Sequence, residues 1–312
     1  MSLASHRQLI LFVALNAMAL PALSQSVERI VYASVLDRAG RAVTDVTAKD
    51  VRVRENNVDR RVLRVYRAIE PLDVAVLIDT SQDAEALIPD FRRGLLDFVR
   101  AMGDRRHEIS VIGFGQRPIV LVDYTGEIRL LEAGVARIAA RHGSGAYLMD
   151  GIIEVSQRLR NRERPRRELV VITSDSGEFS GHQSQDVIGE VQGSGIVFDA
   201  FVVMENAAKN VRPAYEAGIP GRSVPASAKE QPDVERAATL AEATKLTGGH
   251  RELLVTAGVL GTKLRELAAR LNNQYAVIYE GPPSLTPPAS IEIVATRPDL
   301  RVRVTGTPQN QP

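Results

Sequence analysis

The chain contains no cysteine, which excludes disulfides, thiolate metal sites and cysteine nucleophiles together. Tryptophan is also missing and aromatic residues make up only 4%, too few for platforms on which bases or sugars stack. No charge sign dominates. The 39 Lys and Arg nearly balance the 38 Asp and Glu, for a formal net charge of +1, so no overall field points to nucleic acid. What is present is ordinary for a globular fold: 44% hydrophobic and 25% charged residues in 312, room for one large domain or two modest ones.

The first residues stand apart. His6 and Arg7 precede the apolar stretch "LILFVALNAMALPAL", and Ala22-Leu23-Ser24 follows the small-x-small pattern of a cleavage site. A secretory signal peptide over residues 1–24 is expected. The stretch falls short of the ~20 apolar residues that span a bilayer. With no cysteine to carry a lipid, the mature protein is expected in a bacterial periplasm or secreted, without a transmembrane segment.

Residues 25–70 read as a small antiparallel β unit. "ERIVYASVLD" is rich in β-formers, and "DVRVRENNVDRRVLRVYR" alternates apolar and charged residues around an Asn56-Asn57 turn. From Pro71 the pattern changes. Apolar strands "DVAVLID", "EISVIGFG", "ELVVITSD" and "GIVFDAFVVM" alternate with helical segments over 84–102, 127–142, 147–161 and 183–192. "PIVLVD", opened by Pro118, reads as an edge strand. This alternation means an α/β fold, a mostly parallel sheet flanked by helices. Residues 205–231 read as an exposed loop, and two helices follow, "DVERAATLAEATKLTGG" and "AGVLGTKLRELAARLNN". Strands "QYAVIYE", "SIEIVAT" and "LRVRVTG" close the chain before a tail, 307–312, expected to be disordered. The terminal strands match in character and are expected to pair into a small β-sandwich-like unit.

"VAVLIDTSQDAEAL" carries the sharpest question, because a buried strand stops in two carboxylates and hydroxyls within five positions, Asp79 to Asp83. Such oxygens cap a following helix. They also suit a hard divalent cation. Asp175 ends a second strand of the same kind, and in such sheets ligands bind beyond the carboxyl ends of the strands.

Other chemistries find little support. Gly143-Ser144-Gly145 follows a helix and lacks the third glycine of a dinucleotide fingerprint. The five histidines show no metal-ligand spacing and read as surface or loop residues. No nucleophile elbow or nucleophile–base constellation is visible, so the chain is not expected to be an enzyme. The basic run "RLRNRERPRRE" reads as a helix end, a Pro165 stop and a solvated turn, and Arg105-Arg106-His107 reads likewise.

Three stretches together resemble the von Willebrand factor type A domain. "IDTSQD" resembles its Asp-x-Ser-x-Ser signature, "GSGAYLMDGI" its Thr-bearing loop, and "VVITSDSGE" its strand ending in Thr/Ser-Asp-Gly. The resemblance runs from about Asp73 to Leu254, and "LTGGHREL" with "QYAVIYE" is similar to a bacterial exported subgroup bearing a small β unit. A von Willebrand A-like domain is expected over 71–272, followed by C-terminal strands over 273–306 that, from their matching character, are expected to pack with the N-terminal unit. The resemblance implies a metal-ion-dependent adhesion site binding Mg²⁺ or another divalent cation through Asp79, Ser81, Asp83, Ser144 and Asp175, with a partner protein's Asp or Glu as last ligand. The site is degenerate. Ala146 stands where the family has Thr, Asp83 where it has Ser, and Ser176 where Gly is usual. The function implied is extracytoplasmic protein–protein interaction or adhesion. The alternatives are a metal-independent scaffold and, behind it, a hydrolytic enzyme.

Overall fold

The computed structural model describes residues 26–103, 106–204, 226–284, 288 and 290–310. The signal-peptide reading of 1–24 lies outside them, as does 205–225 of the expected loop.

The strands β1 (Val27–Leu36), β2 (Val51–Glu55), β3 (Val58–Arg60) and β4 (Val62–Arg67) come first. Asn56 and Asn57 both take positive φ, 50° and 63°, which gives the β2–β3 hairpin the left-handed turn that matches strand twist. The α/β body follows: β5 (Leu72–Asp79), α1 (Ile88–Met102), β6 (Glu108–Phe114), β7 (Ile119–Thr125), α2 (Ile128–Ala136), α3 (Leu148–Arg160), β8 (Arg166–Ser174), α4 (Ser184–Ser194), β9 (Val197–Val203), α5 (Ala226–Thr247), β10 (Arg251–Leu254) and α6 (Leu260–Asn272). The chain ends in β11 (Gln274–Gly281), β12 (Ile291–Ala295) and β13 (Arg301–Asn310).

The body's sheet has the order β10-β9-β8-β5-β6-β7, parallel throughout except β7, the edge strand opened by Pro118. Every residue of β5 is buried, and its alternation divides them between two cores. Leu72, Val74, Val76 and Ile78 pack with α1, α2 and α6 on one face, while Ala75 and Leu77 pack with α3, α4 and α5 on the other. The terminal strands form two further sheets, β13-β1-β11-β4 and β12-β2-β3, enclosing a third core around Tyr275 and Tyr279. A mostly parallel sheet between helix layers with an added β unit from both termini is the fold class the sequence implied.

Several local expectations change. The helix expected to Arg141 and His142 ends at Ala136, with the Arg137 N–H turned back onto the Gly134 carbonyl. Ala226 to Gln231, expected in a loop, begin α5. Thr307 to Asn310, expected in a disordered tail, extend β13 because β1 still offers its outer edge there. Gly248 has φ +78°, and an added Cβ on it would lie 1.9 Å from the Val304 carbonyl, so the helix stop also lets β13 approach.

The basic run is not simply solvated. Arg162 binds Asp73 and Glu108, and Arg164 reaches Glu108 at 3.0 Å. Buried Arg166 donates to the carbonyls of Glu70 (2.9 Å) and Leu271 (2.7 Å) and to Gln274 Oε1, pinning both chain crossings between the β unit and the body. His107 is also buried, its Nδ1 accepting the Leu72 N–H at 3.2 Å.

Glu168 on β8, Asp199 on β9 and Arg270 on α6 form a buried triad. Burial pushes the Glu168 carboxyl well up, and the neighbouring Asp199 charge adds to the rise. Burial also pushes Asp199 up, but Arg270, the Glu168 proton and the His250 N–H outweigh it and hold Asp199 down. The unfolded chain releases the Glu168 proton in the ordinary carboxylate range while the folded chain keeps it. The stability it contributes is therefore full below that range and lost as pH rises toward the folded value. Glu168→Gln, which cannot ionise, is expected to match the parent at about pH 4. Above that its advantage grows by up to ~1.4 kcal/mol per pH unit. Urea unfolding across pH checks this, and a constant difference between the two proteins would refute it.

Candidate functional site

The chain crosses from β5 to β6 on one side and later returns to β8 on the other, so the crossover direction reverses between β5 and β8. Loops leaving those two strands diverge and open a crevice at the C-terminal edge. Asp79 ends β5 and Asp175 follows the last residue of β8, so both lie on this edge.

Asp79 is fully buried, and both its oxygens are engaged. Oδ1 accepts the Ser81 N–H at 2.9 Å. Oδ2 accepts the Thr173 hydroxyl at 2.9 Å, the Ser174 hydroxyl at 3.0 Å and the Ser174 N–H at 3.2 Å. The carboxylate thus ties the end of β5 to the end of β8. Ser81 occupies the cap position of a short 3₁₀ helix, Gln82–Leu87, but its hydroxyl makes no capping bond. That hydroxyl is buried without a hydrogen-bond partner among the described residues. Asp83 lies in the first turn of the same helix, partly buried. Partly buried Asp175 donates its N–H to the Val203 carbonyl at 3.0 Å.

The loop before α3 is stitched to these residues. Gln82 donates its N–H to the Ser144 carbonyl at 2.9 Å, and its Oε1 accepts the Gly143 N–H at 2.7 Å. The Ser144 hydroxyl accepts the Gln116 N–H at 3.0 Å and donates to the Gly145 carbonyl at 3.2 Å. Ala146 is buried, bridged to Glu178, and its carbonyl accepts the Phe179 N–H at 3.0 Å. Phe179 packs so closely on Gly145 that an added Cβ would lie 2.7 Å from its ring, which is why glycine stands there.

Three residues that sequence reasoning passed over complete the edge. Glu178 Oε1 accepts the N–H groups of Leu148 (3.1 Å) and Ser180 (3.0 Å), placing its carboxylate at the N-terminus of α3. Burial pushes the Glu178 carboxyl up, against the pull of Arg236 and Ser180. From α5, Asp233 accepts the Glu178 N–H at 3.0 Å. Arg236, also from α5 and buried, donates to the Ser174 carbonyl at 2.7 Å, to the Ser176 carbonyl and hydroxyl, and to the Thr173 hydroxyl. Its Nε lies 3.9 Å from Glu178 Oε2. The only hint in the sequence is the three-residue spacing of Asp233, Arg236 and Thr239, which sets polar groups along one face of a helix otherwise rich in alanine.

These oxygens are right in kind for a hard cation. Their arrangement does not fit the metal site that the motifs imply. Asp79 already serves internal donors, Ala146 offers no side-chain oxygen, and a guanidinium lies one hydroxyl behind Asp79. Among the described residues, no three Asp, Glu, His or Cys side chains gather at a spacing able to hold a metal ion.

No protein-family model matches the chain, and no curated protein matches it. Solved structures do. The von Willebrand factor type A protein of Catenulispora acidiphila aligns with 93% of this chain and 75% of its own, at 10% identity and a TM-score of 0.50. BatB of Bacteroides thetaiotaomicron aligns with 65% of this chain and all 100% of its own, at 14% identity and a TM-score of 0.48. An aerotolerance-related membrane protein of Bacteroides fragilis aligns with 63% of this chain and 98% of its own, at 14% identity and a TM-score of 0.45. The chain therefore carries a von Willebrand factor type A fold, with a β unit assembled from both ends of the sequence.

Proposed function

We propose that this is an extracytoplasmic protein-interaction or adhesion module that meets its partner through the loops at the C-terminal edge of the six-stranded sheet. One observation carries the reading. Arg117 and Arg141 stand exposed on the loops flanking Ser144, and neither side chain makes a hydrogen bond or ion pair among the described residues. Guanidinium groups held on anchored loops suit a partner's Asp or Glu, since their planar forks bind carboxylates in pairs of hydrogen bonds. Val255 (81% exposed) and Val234 (66%) add apolar contact on the same edge. An export signal at residues 1–24 would place this face outside the cytoplasm.

A hydrolytic role finds less support. The His182 imidazole is held by Asp150 at 2.7 Å, but the Ser180 hydroxyl accepts the Asp150 N–H and makes no bond to the imidazole. Nucleophile, base and orienting carboxylate therefore do not line up. A second reading keeps a divalent cation, Mg²⁺ or similar, on Asp79, Ser81, Asp83, Ser144 and Asp175. The observation favouring it is the buried Ser81 hydroxyl that nothing else engages.

The test is capture of a partner from the envelope of the source cells by the immobilised mature chain. Capture is expected to persist in EDTA and to fall at least about tenfold in a variant carrying both Arg117→Glu and Arg141→Glu, since reversing interfacial charge costs more than ~1.4 kcal/mol. Capture that EDTA abolishes would favour the cation reading. Capture indifferent to the charge reversal would remove this face from the interaction.

A further inference from the structure

We propose that Arg236 is the fixed cation of this site, taking the place of the divalent ion that the loop motifs imply, so that the recognition face is assembled without metal. The inference rests on reading this edge as the recognition face, and it names what holds that face together.

The geometry carries the argument. Arg236 enters from α5, 60 residues beyond the loop it grips, and its guanidinium is almost wholly buried there. One terminal nitrogen donates to the Ser176 carbonyl, with the Ser176 hydroxyl at 3.4 Å. The other donates to the Ser174 carbonyl at 2.7 Å and to the Thr173 hydroxyl. Thr173 passes this on, its hydroxyl donating to Asp79 Oδ2 at 2.9 Å. A positive charge therefore sits one hydroxyl away from the carboxylate that ends β5, on the side of the β8 loop, with Glu178 3.9 Å away as a second anion. Buried carboxylates need a compensating cation. A hydrated divalent ion would compensate Asp79 through hydroxyl and water oxygens. Arg236 does so through Thr173, and its five N–H groups in a fixed fork also hold the loop carbonyls in place.

The departures from the family pattern fit this exchange. Where a ligating hydroxyl is expected, Ala146 is buried and contributes only backbone, bridged to Glu178. Ser176 in place of glycine supplies the hydroxyl facing Arg236. Asp233, one helical turn before Arg236, accepts the Glu178 N–H and fixes the position of α5 over the loop.

The experiment compares the parent with Arg236→Ala, Arg236→Lys and the double variant Asp79→Asn/Arg236→Ala, by thermal unfolding with and without millimolar Mn²⁺ or Mg²⁺, alongside calorimetric titration with both ions. The parent is expected to give no saturable heat and the same Tm in metal and in EDTA. Arg236→Ala should lose about 10 °C, the order expected for stranding buried carboxylates. Mn²⁺ should return most of that loss, but not in the double variant, whose carboxylate is gone. Arg236→Lys, which keeps the charge, should stay closer to the parent than Arg236→Ala. If Arg236→Ala does not fold, the parent titration and the lysine variant still decide the matter. Saturable binding in the parent that vanishes in Asp79→Ala would overturn the proposal. So would an Arg236→Ala protein as stable as the parent, one that Mn²⁺ fails to restore, or a lysine variant no better than alanine. No partner enters these measurements, so their failure is separate from failure of the capture experiment.

Discussion

Replacing Asp79 with alanine is expected to lower stability by about 3–5 kcal/mol, a loss on the scale of breaking a buried charged network. The cost comes from the donors left behind. The N–H groups of Ser81 and Ser174 and the hydroxyls of Thr173 and Ser174 all converge on this carboxylate in a fully buried place. Without it only the Thr173 hydroxyl keeps a second acceptor, the Ser174 carbonyl at 3.3 Å, and the other donors are stranded beside the Arg236 guanidinium. Urea unfolding of parent and variant at neutral pH checks the size of the effect. A loss below about 1 kcal/mol, the worth of an ordinary single hydrogen bond, would show that water replaces the carboxylate and that the ends of β5 and β8 do not depend on it.

The second large effect lies at the opposite edge of the sheet. Arg270→Met is expected to cost about 3–5 kcal/mol at neutral pH, because it removes the cation ion-paired with buried Asp199 and leaves that carboxylate beside Glu168. The sign of the pH dependence is specific. With Arg270 present, Asp199 is held below its ordinary value, a contribution present above that value and lost as pH falls through the depressed one. Without Arg270 the largest pull holding Asp199 down is gone, and burial, which pushes it up, is opposed only by the Glu168 proton and the His250 N–H. The variant's deficit should then shrink as pH falls through the ordinary carboxylate range and Asp199 takes up a proton. A deficit constant from neutral pH down to that range would mean that Arg270 acts through packing and not through charge.

The two networks bracket the sheet and explain how the loops at its C-terminal edge are held. Asp79, Thr173 and Arg236 lock the C-terminal ends of β5 and β8. Glu168, Asp199 and Arg270 lock β8, β9 and α6 at the other end, next to the chain crossings pinned by Arg166. Arg117 and Arg141 thus project from loops whose neighbours are anchored, a condition under which charged side chains retain specificity on meeting a partner.

The alternation of buried strands with helical segments was legible in the sequence because it is local. Continuous apolar runs and period-3.6 patterns are written in neighbouring residues and mark β5, β8, β9 and their helices directly. The Asn56-Asn57 turn was legible for the same reason, since asparagine tolerates positive φ. The motifs placed Asp79, Ser81, Ser144 and Asp175 on loops that do meet at one edge. The end of α2 and the start of α5 were misjudged. There apolar and small residues continue through a helix boundary, and tertiary packing decides where it falls.

The layered α/β fold, the edge at which its conspicuous loops gather and the absence of any thiol chemistry are all written in the order of residues. Which charges meet depends on folding in three dimensions. A buried carboxylate takes its partner from whatever the fold brings within about 3 Å, and no spacing along the chain encodes that approach. Asp79 is answered by Thr173 and, behind it, by an arginine from a helix far along the chain.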